Sequence, residues 1–495
     1  MPSWTDQPWI LELNVWTWLS GLSSRYGRRI TLHSVPGYIW DELSGAGADG
    51  VWLMGVWQRS ELGRSISSRD ARIVTECHGL LADFSPEDVS GSPYSIGKYF
   101  VDPHLSGPEG LAEARRQLAS RGLCLLLDFV PNHVGPDHPW ITEHPEYFVR
   151  GDEDDQQRTP DAFFRAGESV VARGRDPYFP PWPDTAQLNA FETALRAAAV
   201  DTVHAIAEQC DGVRCDMAML FINRIFSQTW AGRVGMVPAT EYWRDLIVQV
   251  RKVHPGFIFV AEAYWDLEWE LLQQGFDYCY DKRLYDRLVE GSAERIREHL
   301  AAPVGYQRRL IRFLENHDEP RAAAVFPPQR NRVAAVALMT LPGAKLLQEG
   351  QFTGSKIRLS VHLGRCPEES PDDALRAFYE NLVEIVRVID LRNGMWQLCQ
   401  QRGWPDNQSC HYLISWCWQA AGRKYVVVVN LSDQRSQGQI IPPWNDLGAR
   451  DWDLQNLLPR QDYGRRRGEE LSEAGLYVDV EAQSFHFLEL LPLED

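Results

Sequence analysis

Short apolar runs alternate with longer amphipathic stretches through the first 390 or so residues of this chain. The runs predicted as strands are residues 10–19, 50–56, 122–129, 212–214, 257–261, 276–279, 309–314 and 344–347. Between them, apolar positions recur with a helical period over residues 110–121, 191–210, 241–254, 281–300, 331–341 and 372–392. Eight strands that alternate with helices predict an α/β fold, a parallel (β/α)₈ TIM barrel.

Two segments interrupt the alternation, and a third part of the chain lacks it. One insertion covers residues 57–99 after the second strand, and a larger one covers residues 134–189 after the third. From residue 395 onward, short strand-like runs are separated by turn residues, which predicts a C-terminal antiparallel β-sandwich. We therefore expect a barrel of residues 1–133 and 190–394, a small inserted domain of residues 134–189, and a C-terminal domain of residues 395–495.

Composition narrows the class of partner. The formal net charge is −18 and the pI is near 5.2, which argues against nucleic acid and anionic membranes as partners. We see no apolar run of the roughly 18–20 residues that would span a bilayer, and the first residues lack the basic region of a signal peptide. The nine cysteines are scattered and odd in number, as in a protein with reduced thiols. We expect a cytoplasmic protein.

Four predicted strands end in polar groups. In a parallel barrel the carboxyl ends of the strands form one face, and reactive residues collect there. Any one of these endings is a weak signal, because acidic residues at strand ends are common. Four such endings together, on strands three, four, five and seven, are a strong signal of an active site. They are LLLDFVPNH, DGVRCDMA, FIFVAEAY and IRFLENHDEPR.

The chemistry of these endings suits cleavage of a glycosidic bond. Strand residues alternate faces, so Arg214 and Asp216 point the same way, and the guanidinium favours an ionised, nucleophilic Asp216. Glu262 leaves an apolar strand, and we expect burial to raise its pKa so that it can donate a proton. Two carboxyl groups in opposite protonation states on either side of one bond are what glycoside cleavage requires. The separation that would decide between retention and inversion cannot be read from the sequence.

The four endings resemble the signature regions of the α-amylase family of retaining glycoside hydrolases. DFVPNH is similar to the first region, GVRCD to the second, the strand of Glu262 to the third, and ENHD to the fourth, and TAQLN is a weaker fifth match. The resemblance covers essentially the whole chain, since the family also has a small domain after strand three and a C-terminal β-sandwich.

The resemblance implies a role for each matching residue. Asp216 would form the covalent glycosyl-enzyme, Glu262 would be the acid/base, and Asp318 would bind hydroxyls of the distorted sugar. The residues expected to bind substrate are Tyr94, His133, Arg214, His317 and Arg321. Alternatives stay open for some of them, because a strand-end histidine can serve only its neighbours, Tyr94 can be an exposed loop residue, and Arg321 can form a structural salt bridge.

The chain departs from a typical starch-degrading member just after Asp216. A Lys-His pair is common there in α-amylases, whereas this chain has Met217-Ala218-Met219-Leu220. Compared with those α-amylases, this chain therefore lacks polar groups that line a polysaccharide cleft and lacks one calcium ligand. Asn132 could bind calcium or brace its loop, so we predict no metal and no cofactor. The expected substrate is a small carbohydrate, a short intracellular α-glucoside or oligosaccharide.

Other readings of the same motifs remain. In a transglycosylase or a phosphorylase, a sugar hydroxyl or phosphate replaces water in the second step, and the motifs do not separate these reactions from hydrolysis. The lack of a glycine-rich phosphate loop favours water. A non-catalytic sugar-binding relative is the alternative from another class, but such a protein would be expected to have lost one of the three carboxylates.

Overall fold

A computed structural model describes residues 2–493 of the chain. The chain divides into two compact units. The first consists mainly of Ile10–Tyr280 and Arg358–Glu369, and the second of Asp6–Trp9, Asp281–Ile357 and the chain from Ser370 onward.

The predicted barrel is present. Eight strands close into one barrel, and paired neighbours within it run parallel. In chain order these barrel strands 1 to 8 are Trp9–Asn14, Gly50–Met54, Cys124–Phe129, Gly212–Cys215, Ile258–Ala261, Tyr278–Tyr280, Leu310–Arg312 and Ala344–Gln348. Nearly every residue of these strands is buried, as expected for a parallel sheet whose two faces are both covered.

The first strand is shorter than predicted. Residues 10–19 read as one apolar run, but the strand ends at Asn14 and a helix begins at Val15. The Asn14 side chain caps that helix by accepting a hydrogen bond from the backbone N–H of Trp16 at 3.2 Å. The cap outweighs the apolar pattern, which suits a buried helix as well as a strand.

Helices follow most of the strands. The helices are Val15–Tyr26, Gly37–Gly45, Glu61–Ser67, Ala71–Leu80, Gly107–Ala119, Trp140–Glu143, Glu153–Arg158, Thr193–Ala207, Asn223–Thr229, Tyr242–Val253, Glu268–Gln274, Lys282–Glu290, Ala293–Leu300, Val304–Gln307, Ala322–Val325, Pro328–Thr340, Asp373–Ile389 and Gly468–Glu473. The predicted helix over residues 281–300 is in fact two, because Gly291 takes a left-handed conformation with φ of 79° and ends the first of them. No helix of the described residues is long and apolar enough to cross a membrane.

The two insertions carry short strands of their own. Trp57–Arg59 pairs with Ile96–Val101 in the first. In the second, Arg150–Gly151, Ser169–Ala172 and Phe163–Ala166 form a small antiparallel sheet. A further pair, His133–Val134 with Ala186–Gln187, ties the start of this insertion to its end.

The C-terminal part consists of two antiparallel sheets, as predicted. The larger has the strand order Met395–Leu398, Leu413–Ala420, Arg423–Asn430, Ser484–Pro492, Trp452–Leu457 and Arg460–Arg466. The smaller has the order Gln400–Arg402, Ser436–Ile441 and Leu476–Val480. Residues of both sheets, including Val426, Leu488 and Val478, share one buried apolar cluster, so the two sheets pack face to face.

Candidate active site

Barrel strands 3, 4 and 5 bring one arginine and three carboxyl groups together in the first unit. Arg214 lies beside Asp128 in the register between strands 3 and 4, and beside Val260 on strand 5. Asp216 and Glu262 each follow the last residue of their strand. We refer to Asp128, Arg214, Asp216 and Glu262 as the carboxylate cluster; its members are between 1% and 4% exposed.

Arg214 is the centre of this cluster. Its Nη1 donates a hydrogen bond to Asp216 Oδ1 at 2.7 Å and lies 3.6 Å from Asp128 Oδ1. Its Nη2 lies 2.8 Å from Glu262 Oε2, close enough for an ion pair although the N–H is not aimed at that oxygen. Burial alone would lower the pKa of Arg214, but nearby negative groups, Glu262 first among them, raise it well above its ordinary value. Arg214 therefore stays charged, as its predicted role beside Asp216 requires.

Glu262 has more partners than the sequence indicated. Besides the contact with Arg214, its Oε2 accepts the backbone N–H of Met217 at 2.6 Å, and its Oε1 accepts the hydroxyl of Tyr264 at 2.8 Å. The sequence indicated only burial for this carboxyl group, whereas the structure adds three groups that can donate to its ionised form.

The segment after Asp216 explains how Met217 reaches Glu262. Met217 has a left-handed backbone with φ of 42°, which turns its N–H toward strand 5. The residues that follow, Ala218–Phe221, form a buried 3₁₀ turn, and Ala218 and Met219 are 0% exposed. The apolar residues that replace the expected Lys-His pair thus pack into the core. No side-chain signal in the sequence pointed to this backbone contact.

Asp128 supports the cluster from strand 3. Its Oδ2 accepts hydrogen bonds from Trp52 Nε1 at 3.2 Å and from the backbone N–H of Gly55 at 3.4 Å, and its backbone oxygen accepts from Trp57 Nε1 at 2.8 Å. Trp57 is only 1% exposed, so its ring packs in the core. The sequence placed Asp128 in a motif without giving it a role.

Tyr94 lies against the carboxylate cluster. The Arg214 guanidinium is 5.1 Å from the centre of the Tyr94 ring, and Tyr94 is partly exposed. The ring has Arg214 over it and part of its surface open, so it can contact a bound sugar. The predicted role of Tyr94 in stacking on a sugar stays a prediction.

His133 lies at the base of the second insertion. It is 4% exposed, its Nδ1 is 3.3 Å from the Asn132 amide, and its ring is 5.0 Å from that of Trp182. Burial lowers the pKa of His133 to about 3, so the imidazole is neutral at ordinary pH. A neutral imidazole can donate one hydrogen bond to a sugar hydroxyl without adding charge. The contacts described for His133 do not include a carboxylate.

Asn132 braces its loop. Its side-chain oxygen accepts Gln187 Nε2 at 2.9 Å, and the same nitrogen donates to the Asn132 backbone oxygen at 2.9 Å. The amide oxygen that would bind calcium is thus engaged by a protein donor. Among the described residues, no group of three or more His, Cys, Asp or Glu side chains is arranged to hold a metal ion.

The second unit carries the residues that follow barrel strand 7. His317 Nε2 lies 3.0 Å from Asp318 Oδ2, and the Asn316 side chain accepts the backbone N–H groups of Asp318 and Glu319 at 3.0 and 2.9 Å. This turn holds Asp318 with its side chain 44% exposed, whereas His317 is buried. A partly exposed carboxylate beside a buried imidazole can accept hydrogen bonds from sugar hydroxyls.

Arg321 has structural partners in the same unit. Its Nη1 lies 2.8 Å from Glu315 Oε1 and donates to Gln348 Oε1 at 2.5 Å, and its Nη2 donates to the backbone oxygen of Glu349 at 2.7 Å. It is 8% exposed. These contacts favour the structural salt bridge over the substrate-binding role.

Comparison with known proteins supports the motif assignment. No protein-family model matches the chain. It is 26% identical over 366 residues to the α-amylase MalA of Haloarcula japonica, a match that covers 72% of this chain and 46% of that protein. It is also 28% identical over 206 residues to an α-1,4-glucan:maltose-1-phosphate maltosyltransferase of Burkholderia pseudomallei, covering 40% and 15% of the two chains. The chain thus spans less than half the length of these curated relatives.

Solved structures show the same fold over the whole chain. A maltogenic α-amylase, AmyB, from Thermotoga neapolitana has a TM-score of 0.67 and 18% identity, with 99% of each chain covered. An α-amylase from Lactobacillus plantarum has a TM-score of 0.66 and 20% identity, with 98% of this chain and 99% of that chain covered. At this level of identity the likeness concerns the fold. The chain is thus similar in sequence to an α-amylase and to maltosyltransferases, and similar in fold to solved α-amylases, in agreement with the resemblance of its four motifs.

Proposed function

We propose that this protein cleaves an α-glucosidic bond in a short α-glucoside or oligosaccharide, with retention of configuration, through a covalent intermediate on Asp216. The observation that carries the proposal is the single guanidinium of Arg214, which contacts both Asp216 and Glu262. Because the two terminal nitrogens of one side chain contact the two carboxyl groups, these groups lie close together. A close pair favours the retaining reaction, since an inverting enzyme needs room for a water between its carboxyl groups.

The reaction proceeds in two displacements. In the first, Asp216 attacks the anomeric carbon, the bond to the leaving oxygen breaks, and that oxygen takes the proton of Glu262. In the second, Glu262 accepts a proton from water as the water oxygen attacks the anomeric carbon and releases Asp216. Arg214 keeps Asp216 ionised throughout, and the hydrogen bonds from Met217 and Tyr264 stabilise Glu262 in the charged form that it takes between the two steps.

The remaining residues are proposed to bind the sugar being cleaved. We assign Asp318 to its ring hydroxyls, because the residue matches the fourth motif, lies in the segment after barrel strand 7 and is partly exposed. Tyr94 would stack on the ring, and His133 and His317 would hydrogen-bond its hydroxyls. Arg321 is proposed to hold its loop through Glu315, not to contact substrate.

Two features support a small substrate inside the cell. The run after Asp216 is apolar, with Met217 partly exposed and Ala218–Leu220 buried, so it offers no polar side chains to a long polysaccharide. All nine cysteines lie in the described part of the chain, all are free, and eight are buried. Free thiols in this number are typical of a reducing compartment.

Transfer to an acceptor is the second candidate. The curated relatives include maltosyltransferases from Burkholderia pseudomallei and Bifidobacterium longum, whose names specify maltose 1-phosphate and an α-1,4-glucan. Water, a sugar hydroxyl or phosphate can each attack the same intermediate, so a transferase would use the same carboxylates.

The test combines a substrate panel with trapping of the intermediate. Purified protein is incubated with maltose, maltotriose, trehalose and sucrose, with and without phosphate, and the anomer formed first is followed by NMR. Retention predicts an α-anomer, and a β-anomer would rule out the mechanism. A 5-fluoro-α-glucosyl fluoride should lose its anomeric fluoride and leave a 5-fluoroglucosyl adduct on the peptide that contains Asp216, detected by mass spectrometry.

Two variants complete the test. Asp216→Ala should abolish turnover while the protein stays folded, because Arg214 keeps Glu262 as a partner. Asp161→Ala, which removes an exposed aspartate of the same unit, is the matched control and should keep full activity. Substantial residual turnover in Asp216→Ala would overturn the mechanism.

A further inference from the structure

We propose that Tyr280 is a positioning residue, whose ring holds the Arg214 guanidinium between Asp216 and Glu262. Tyr280 is the last residue of barrel strand 6 and is 1% exposed. None of the four strand endings that carry the motifs includes it. The inference rests on the proposed function, because it concerns how one cation is shared between the nucleophile and the acid/base.

Hydrogen bonds alone do not fix the orientation of Arg214. Its Nη1 donates to Asp216 Oδ1 at 2.7 Å, but within the described part of the chain neither Nε nor Nη2 has a hydrogen-bond partner. Nη2 lies 2.8 Å from Glu262 Oε2 without its N–H pointing at that oxygen. A guanidinium that donates to a carboxylate through one N–H can turn about that bond, whereas two parallel bonds would fix its plane. Packing must therefore keep Arg214 near Glu262.

Three aromatic rings surround the guanidinium. Its carbon Cζ is 5.3 Å from the ring centre of Trp52, 5.1 Å from that of Tyr94 and 5.9 Å from that of Tyr280. A cation at such distances is attracted to the ring. Trp52 and Tyr280 are fully buried, whereas Tyr94 is partly exposed. The two buried rings are therefore the ones that the surrounding core holds in place.

The two buried rings come from opposite sides of Arg214. Arg214 is on barrel strand 4, Trp52 is on strand 2 and Tyr280 is on strand 6, so each ring is two strands away in the closed sheet. Trp52 Nε1 donates to Asp128 Oδ2 at 3.2 Å, which ties this ring to the carboxylate cluster. Tyr280 is the ring on the side of strand 5, the strand that leads to Glu262.

Strand register places Tyr280 beside the acid/base. Ala261 on barrel strand 5 lies next to Cys279 on strand 6, and Glu262 and Tyr280 each follow directly. Residues at the same level of neighbouring parallel strands point to the same face of the sheet. The Tyr280 ring therefore packs against the part of the guanidinium that reaches Glu262.

Tyr280 acts on Arg214 as a neutral ring. Burial raises the pKa of its hydroxyl well above the ordinary value, although the nearby Arg214 acts in the opposite direction. Without the ring, Arg214 can turn toward Asp216, to which it donates its hydrogen bond, and away from Glu262. Glu262 would then lose a positive neighbour and keep its proton to higher pH.

The test compares Tyr280→Leu, which removes the ring, with Tyr280→Phe, which keeps it. With maltotriose as substrate, we expect Tyr280→Leu to lower kcat about tenfold with a smaller change in KM, because the proton transfer by Glu262 is impaired. The basic limb of its pH profile of kcat/KM should move up by about one pH unit. The loss should be smaller for α-glucosyl fluoride, since fluoride leaves without the proton of Glu262. Tyr280→Phe should behave as the wild type.

Tyr242→Leu is the matched control. Tyr242 is a 2% exposed tyrosine of the same unit, on the helix Tyr242–Val253, and its ring packs edge to face on Phe221 at 4.7 Å. Its replacement also removes a buried ring, so it should destabilise the protein. The basic limb of the pH profile should nevertheless stay where it is in the wild type.

Unfolding in urea gives a readout that does not need turnover. In Tyr280→Leu the carboxyl group of Glu262 should bind a proton more readily in the folded state, so part of the lost stability returns as the pH falls. We therefore expect the urea midpoint of Tyr280→Leu to lie further below that of the wild type at pH 7.5 than at pH 5.5. Tyr242→Leu should show the same difference at both pH values.

The outcomes separate the two proposals. If the wild type cleaves neither maltotriose nor α-glucosyl fluoride, the proposed function fails, and the urea comparison alone decides the role of Tyr280. If the wild type is active, an unshifted basic limb in Tyr280→Leu, or an equal urea difference at both pH values, refutes the positioning role while the function stands. Equal effects of Tyr280→Leu and Tyr280→Phe would also refute it, because they would assign the effect to the hydroxyl.

Discussion

Replacement of Arg214 by methionine tests whether one cation holds the carboxylate cluster together. Methionine keeps much of the volume and removes the charge. The formal charge of the four side chains is +1 −3 = −2 in the wild type and becomes −3 in the variant. At 2.7 Å and an effective dielectric constant of about 20, the contact with Asp216 is worth about 6 kcal/mol before the desolvation cost is subtracted. Removal of one partner from a buried ion pair costs about 3–5 kcal/mol.

We therefore expect Arg214→Met to lose about 5 kcal/mol of unfolding free energy at pH 7.5. The loss should shrink as the pH falls toward 5.5, because the uncompensated carboxyl groups bind protons more readily in the folded than in the unfolded state. Stability then rises as the pH falls. Urea denaturation followed by tryptophan fluorescence at both pH values measures the effect.

Two further variants act as controls. Arg214→Lys retains a positive charge without the planar guanidinium, and it should recover part of the lost unfolding free energy. Arg224→Met removes an arginine that is 51% exposed and paired with Glu270, and it should cost less than about 1 kcal/mol. The reasoning is refuted if Arg214→Met is as stable as the wild type at pH 7.5, or if its loss is the same at both pH values.

Three other predictions concern single contacts. Burial raises the pKa of Asp184 to about 6, so the contribution of Asp184 to stability should fall as the pH rises from about 4 to 6. Asp184→Asn should therefore be more stable than the wild type at pH 7.5 by up to about 3 kcal/mol, and this gain should disappear near pH 4 in urea titrations. Tyr264→Phe removes the donor to Glu262 and should lower kcat about tenfold with little change in KM, and an unchanged kcat would show that the bond is unimportant. Because Asn132 Oδ1 accepts a hydrogen bond from Gln187, treatment with EDTA should change neither kcat nor Tm. A tenfold loss of kcat that calcium restores would contradict the prediction that the protein binds no metal.

Much of the barrel was predictable because its signals are local. A buried parallel strand is a short apolar run, and the residue that ends it is visible in the sequence, so the positions of Asp216, Glu262 and Asp318 followed from pattern alone. The wrong prediction of a single strand over residues 10–19 has the same origin. An apolar run is compatible with a strand and with a buried helix, and only the helix cap at Asn14 shows where one gives way to the other.

The electrostatic surroundings of the carboxyl groups were only half predictable. Alternation along one strand placed Arg214 beside Asp216, two residues away. The second contact of Arg214, with Glu262, depends on the lateral register of two strands that residues 216–257 separate with helices and loops. The contact between the Met217 backbone N–H and Glu262 depends on a left-handed conformation at Met217. Methionine rarely adopts that conformation, so its presence in the sequence did not predict the contact.

The sequence by itself determined the fold class and the order of the motifs, because these depend on periodicity and on which residues end the strands. The assignment of the three carboxylates comes from the same strand endings and stays a prediction. Only the tertiary structure decided what each group touches. It showed that Glu262 shares Arg214 with Asp216, that the Asn132 oxygen is engaged by Gln187, and that Trp57 is buried whereas Tyr178 meets Trp265 at the surface. These contacts join segments far apart in the chain, and they depend on how loops of different length pack, which no local pattern records.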